Sequence, residues 1–253
     1  MSKKRLVVGN WKMFIESPEA AKKFAATLRK RARTWQSAEA WVAPAFPLIA
    51  PVAAALKGST IKVGAQTLSM QSGAAQTGEV SAKMLKASGA SFAIIGHSER
   101  RAMGESDEEI RAQLNAAVGA GLTAILCVGE HERQPDGSHW ADVANQLHRA
   151  LVGAVPLGSK LIVAYEPVWA IGKSAAEAMR GEDVEETAIF IRKILSEALG
   201  RDAVSKVAIL YGGSVEPGNA AALIKEGGVN GLLVGHASAD IDSFIEILKA
   251  CKK

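Results

Sequence analysis

Only two cysteines occur in 253 residues, Cys127 and Cys251. They lie far apart and fit no metal-ligand spacing, so a reduced, cytosolic protein without a metal is expected. Cys127 falls within an apolar, strand-like run and reads as a small buried side chain. No apolar run approaches the length of a membrane span, which excludes a membrane-spanning class. The opening MSKKRLVVGN is basic, but its apolar run is too short for a secretory h-region, and no leader is expected. The first turn, GNWKMF, lacks the G-x-G-x-x-G dinucleotide fingerprint. No Ser-His-Asp constellation is legible. Acidic residues are outnumbered only slightly, 26 against 30 Lys and Arg, for a net charge of +4. The charges are mixed along helical stretches, and the longest basic cluster, Arg29–Arg33, ends a predicted helix where it complements the C-terminal partial charge. No interleaved aromatics accompany it, so nucleic acid is not an expected partner. A mild positive balance suits a small anionic substrate.

What is present is organised around AYEPVWAIG, Ala164 to Gly172. Glu166 directly follows an apolar run, LIVAYEP, suited to a buried strand. Pro167 then ends ladder pairing, because it has no N–H to donate. A carboxylate thus stands where a strand stops. The loop behind it, VWAIG, is apolar, as a lid over a ligand must be. The plain alternative is a solvated Glu at a strand end beside a permanently packed loop.

The whole chain alternates short apolar runs with longer amphipathic ones. Runs ending near Asn10, Ala45, Ala65, Gly96, Glu130, Glu166, Ser214 and Ser238 are each followed by a helical pattern. Ser17 and Pro18 open the first helix, with Phe24 and Leu28 on its inner face. Ser106 with Glu109 forms a capping box for a helix running to about Ala120. The helix from about Val184 to Leu199 carries Ala188, Ile191, Ile194, Leu195 and Ala198 on one side. Strands apolar on both faces imply a sheet covered by helices, and alternation implies parallel pairing. Eight units with no linker or composition break predict an α/β fold, one closed parallel (β/α)8 barrel over 1–253, in preference to a doubly wound sheet.

In such barrels reactive residues gather at the strand C-terminal ends. Those ends supply Asn10 and Lys12, Gln66, His97 to Arg100, Glu130, Glu166, Gly212 to Ser214, and Gly235 with His236. Lys12 reads as a surface charge or as a cation for an anionic substrate. His97 reads as a structural residue or as a catalyst tuned by Ser98 and Glu99. Glu99 with Arg100 reads equally as a structural ion pair, the default for Arg100. YGGS and VGHAS are tight glycine turns or backbone cradles for a phosphate. A carboxylate, a histidine, a lysine and a phosphate cradle together fit proton transfer next to a carbonyl on a phosphorylated metabolite.

The motifs GNWKM, IIGHSERR, CVGE, AYEPVWAIG, YGGSV and VGHAS occur in one order along the full length. In this the chain resembles the triosephosphate isomerase family. The resemblance implies a TIM barrel, no cofactor, and interconversion of dihydroxyacetone phosphate and glyceraldehyde 3-phosphate in glycolysis and gluconeogenesis. It makes Glu166 the base, His97 the neutral electrophile, Lys12 the supporting cation and Asn10 the orienting amide. It makes Glu99 the carboxylate that holds the site together, and Gly172, Ser214, Gly235 and His236 the phosphate-binding positions. It also implies a homodimer built on the loop from Gln66 to Glu79, with Thr77 reaching the partner subunit.

Three positions depart from the family pattern. His236 stands where a second glycine is usual. The far lid hinge reads AIGKSAAEAM, two residues shorter than usual, and Thr67 replaces an asparagine. Two other readings therefore accompany the first: an isomerase of a related phosphorylated sugar such as a tetrulose phosphate, and a non-catalytic sugar-phosphate binder. Lys12, His97 and Glu166 standing together argue against the binder.

Overall fold

The computed structural model describes residues 4–154, 157–173 and 178–251. Its strands are β1 (Arg5–Asn10), β2 (Ala38–Ala43), β3 (Lys62–Ala65), β4 (Phe92–Ile95), β5 (Thr123–Val128), β6 (Leu161–Tyr165), β7 (Ala208–Tyr211) and β8 (Gly231–Val234). Each pairs in parallel with its sequence neighbours, and β8 returns to β1 to close the sheet. The helices are α1 (Pro18–Lys30), α2 (Ile49–Ala55), α3 (Ala82–Ala87), α4 (Ser98–Ala102), α5 (Asp107–Gly119), α6 (Trp140–Leu151), α7 (Gly181–Leu199), α8 (Arg201–Val204), α9 (Ala220–Glu226) and α10 (Ile241–Ala250). The result is the closed (β/α)8 barrel that the eight alternating units imply.

Strand side chains alternate between two apolar layers, because successive Cβ atoms point to opposite faces. Leu6 and Val8 of β1 join Trp41, Phe92, Ile125, Ile162, Leu210 and Leu233 in one cluster inside the barrel. Val7, between them, belongs to the outer layer under the helices. Phe92 fills its part of the interior so closely that a Cβ on Gly64 would meet its ring at 2.5 Å.

The caps form as the sequence predicts. Ser17 accepts from the Ala20 N–H, and α1 buries Ala21, Phe24, Ala25 and Leu28. Ser106 and Glu109 form the reciprocal capping box of α5. On α7 Ala188, Ile191, Ile194 and Leu195 are buried, whereas Ala198 is exposed. A methyl group in that last turn does not reach the layer against which the longer Leu199 packs. Two helices, α4 and α8, show no legible pattern, since five and four residues are too few for an apolar period. Among the described residues no helix is long and apolar enough to cross a membrane.

Both cysteines are free and buried. Burial raises the Cys251 thiol to about 12 and is also the main reason the Cys127 thiol lies well above its ordinary value. The nucleophilic thiolate is therefore scarce at both positions. Neither should react with an aromatic disulfide reagent at mildly alkaline pH in the folded protein, and both should react after denaturation. Rapid labelling of native protein would show one of them to be reachable.

Candidate active site

The strand C-terminal ends surround a cavity of about 330 Å³, lined by Asn10, Lys12, His97, Glu166, Gly172, Ser214, Gly235 and His236, among others. These candidate positions come from the ends of five strands, β1, β4, β6, β7 and β8. Glu99 stands behind them, paired with Lys12.

Glu166 follows β6 by one residue. Its N–H still donates to the Val128 carbonyl at 2.8 Å, which fixes its backbone to the end of β5. The side chain is 2% exposed. One carboxylate oxygen, Oε2, accepts the Ser98 N–H at 3.0 Å. That N–H belongs to the first turn of α4, where no intrahelical acceptor exists. The other oxygen, Oε1, lies 3.4 Å from His97 Nε2 and makes no hydrogen bond among the described residues. The arm passes over Gly212, where a Cβ would stand 3.0 Å from Glu166 Cγ.

His97 caps α4. Its Nδ1 accepts the Glu99 N–H at 3.1 Å. A nitrogen that accepts carries a lone pair, so the ring proton is on Nε2, the atom facing Glu166. The unanticipated helix α4 is thus what sets the tautomer and also holds the carboxylate.

Lys12 has φ 46°, the only positive φ at a non-glycine among the described residues. Such a backbone costs roughly 1–2 kcal/mol and needs local support. Its N–H donates to Asn10 Oδ1 at 3.1 Å, and its carbonyl accepts Gln66 Nε2 at 2.9 Å. Gln66 also donates to the Ala43 carbonyl at 3.0 Å, tying the loops after β1, β2 and β3 together. The ammonium then meets Glu99 Oε1 at 2.5 Å. The ion pair read between Glu99 and Arg100 does not form: Arg100 pairs with Glu105 at 3.4 Å. Neighbouring residues on a helix do not face each other, so Glu99 turns toward Lys12 while Arg100 turns away.

On the opposite wall, Ser214 Oγ donates to the Lys173 carbonyl at 2.6 Å, joining the turn after β7 to the lid loop. Gly172 has φ 73°, in the left-handed region that glycine occupies without strain. His236 opens a single 3-10 turn, His236–Ser238, and its φ is not positive. A side chain is therefore accommodated there without backbone strain. Its imidazole meets Phe14 edge-on, with centroids 4.9 Å apart, and both rings line the cavity.

Glu130 was legible as a rim carboxylate, but not its task. It is 1% exposed, and its Oε1 accepts Tyr165 Oη at 2.8 Å and Trp169 Nε1 at 2.9 Å. Burial raises the Tyr165 hydroxyl far above its ordinary value, the nearby Glu130 charge adding to it, so it remains a donor. The Glu130 carbonyl accepts the Val168 N–H at 3.0 Å. Glu130 therefore anchors the near end of the apolar loop. Its sequence signal is its place directly after CVG, parallel to Glu166 after AY. The shortened far hinge includes Ser174–Glu177, which lie outside the described residues. In the loop after β3, Thr77 is exposed and the Thr67 hydroxyl is buried.

Residues 5–251 match the family model described as triosephosphate isomerase. The triosephosphate isomerase of Bradyrhizobium diazoefficiens is 43% identical over 250 residues, covering 97% of each chain. That of Carboxydothermus hydrogenoformans is 41% identical, covering 98% of each. That of Thermus thermophilus is 42% identical, covering 96% of this chain and 97% of its own. The barrel, the motif order and these full-length matches agree, and the chain belongs to the triosephosphate isomerase family.

Proposed function

We propose that the cavity binds dihydroxyacetone phosphate and glyceraldehyde 3-phosphate and interconverts them through an enediolate, as a cytoplasmic step of glycolysis and gluconeogenesis. The observation that carries this reading is a carboxylate oxygen, Glu166 Oε1, that has no hydrogen bond among the described residues and lies beside the Nε2–H of His97. Glu166 removes the proton from the carbon next to the carbonyl, and the electron pair moves onto the carbonyl oxygen. His97 Nε2–H faces that oxygen and stabilises the developing charge. His97 gives its Nε2 proton to that oxygen and takes the proton of the neighbouring hydroxyl, and the protonated Glu166 returns its proton to the carbon that bore the carbonyl, which completes the exchange of aldehyde and ketone. Lys12 adds a positive charge, and Asn10 supports its backbone while lining the substrate's side of the cavity. Gly172, Ser214, Gly235 and His236 hold the phosphate at the far wall. For Ser214 this means giving up or sharing its bond to Lys173 when the lid loop moves. A covered site keeps water from the enediolate.

The test is a coupled assay with glyceraldehyde 3-phosphate and, separately, a tetrulose phosphate. Turnover of the triose with little of the tetrulose is expected; the reverse would assign the enzyme to the larger sugar. His236→Gly should raise the KM for the triose about two- to tenfold, the worth of one neutral hydrogen bond, and leave kcat nearly unchanged. A lowered KM would mean that the imidazole crowds the phosphate instead. The loop Gln66 to Glu79 is assigned to a homodimer contact, in which the exposed Thr77 reaches the partner subunit. Light scattering at micromolar concentration should give a dimeric mass, and a monomeric mass would contradict it.

A further inference from the structure

The barrel has a second mouth, at the strand N-terminal ends. A cavity of about 500 Å³ opens there, within the range of small-molecule sites. Its charged lining is one-sided. Lys4, Arg5, Lys62, Arg192 and Lys206 line it, against one carboxylate, Glu39. Glu39 is already engaged, by Lys62 at 3.4 Å and by the Trp41 indole N–H at 2.8 Å. Among the described residues none of the other four cations has a carboxylate within ion-pair distance.

The two guanidiniums are held in place by neutral oxygens. Arg5 donates to the Val229 carbonyl at 2.6 Å. Arg192 donates to Asn230 Oδ1 at 3.1 Å and to the Gly228 carbonyl at 3.4 Å. Among the described residues these bonds fix the side chains while leaving their charge unneutralised and other N–H donors unused. Arg192 is half-buried, and burial lowers its pKa, as an uncompensated charge requires. A cleft lined by one sign of charge concentrates counter-ions, and arginine forks suit phosphate oxygens. The chain's overall charge is only +4, so this mouth holds a local excess rather than a share of a uniformly basic surface.

We propose that the strand N-terminal mouth, built from Arg5, Arg192, Lys4 and Lys206, binds a small polyanion carrying two or more phosphate groups. The site lies at the end of the barrel opposite the catalytic cavity and does not depend on the reading of that cavity.

Inorganic pyrophosphate and adenosine diphosphate are titrated separately into the full chain by calorimetry at low salt. Competitive inhibition of triose turnover is followed in parallel, since the catalytic phosphate cradle also accepts such ions. Two binding events per chain are expected for pyrophosphate. In R192Q/K206Q the event unrelated to inhibition should weaken at least tenfold, while the inhibition constant and kcat stay unchanged. K22Q/K23Q removes the same charge from the exposed face of α1 and should leave both events intact. If R192Q folds poorly, K4Q/K206Q carries the same expectation, because both lysines are exposed. Equal affinity for the two ligands assigns recognition to the phosphates alone, and tighter nucleotide binding adds a contact to the base. A single event in the parent, or equal weakening in K22Q/K23Q, would overturn the proposal.

Discussion

Glu166→Gln should lower turnover of the triose phosphate by about a thousandfold, the middle of the range for losing a general base. The substitution is conservative for the structure. A glutamine Oε1 still accepts the Ser98 N–H that now meets Glu166 Oε2 at 3.0 Å. The backbone bond to Val128 is untouched. What disappears is the carboxylate assigned to take the proton from carbon, so KM should change little while kcat collapses. Glu166→Asp should fall between the two. It keeps the base but shortens the arm that passes over Gly212, and misplacement of a reacting group is costly. A Glu166→Gln protein with parental kcat would mean that another residue is the base.

Gly129→Ala should unfold more readily than the parent and lose activity at the same time. Gly129 lies just past β5, where the chain end of β6 crosses it at very close range. A Cβ there would overlap the Glu166 carbonyl oxygen and carbon. That obstacle is backbone, so no rotamer change relieves it. Gly129 is also clamped: its N–H donates to Gln146 Oε1 at 2.9 Å and its carbonyl accepts Gln146 Nε2 at 2.9 Å. The strain must push β5 and β6 apart at the Glu166–Val128 bond. Overpacking of this kind costs about 3 kcal/mol, which for a chain of this size lowers Tm by roughly 10 °C. Whatever folds should carry Glu166 displaced from Ser98 and His97. Thermal melts and kcat measured together check this; a parental Tm would show that the crossing has room to spare.

The barrel was legible because each strand is an apolar run cut off by a polar residue, a glycine or, after β2, a proline, and each cut marks the same rim. The caps at Ser17 and Ser106 were legible because capping is local chemistry. Most of the candidate residues that line the cavity followed from reading only the strand ends, and Gly172 came with the family resemblance. What stayed hidden depends on three-dimensional neighbours. Helix α4 is too short to have a period, yet it supplies the Ser98 N–H and the Glu99 N–H that set Glu166 and His97. The left-handed backbone of Lys12 is invisible in a lysine codeword, and its support comes from Gln66, 54 residues away. Arg100 beside Glu99 looked like an ion pair, but helical geometry sends the two apart. The basic mouth was hidden because Lys4 with Arg5, Lys62, Arg192 and Lys206 come from four distant places in the chain and meet only when the barrel closes.

Proton exchange with solvent tests the central assignment most directly. Dihydroxyacetone phosphate incubated with the enzyme in deuterium oxide passes through the enediolate, and the proton held on the base exchanges before it returns to carbon. The parent should place deuterium on the hydroxymethyl carbon next to the carbonyl, as read by proton NMR. Folded Glu166→Gln should place almost none over the same interval. Exchange at the parental rate in that variant would contradict the assignment of Glu166 as the base.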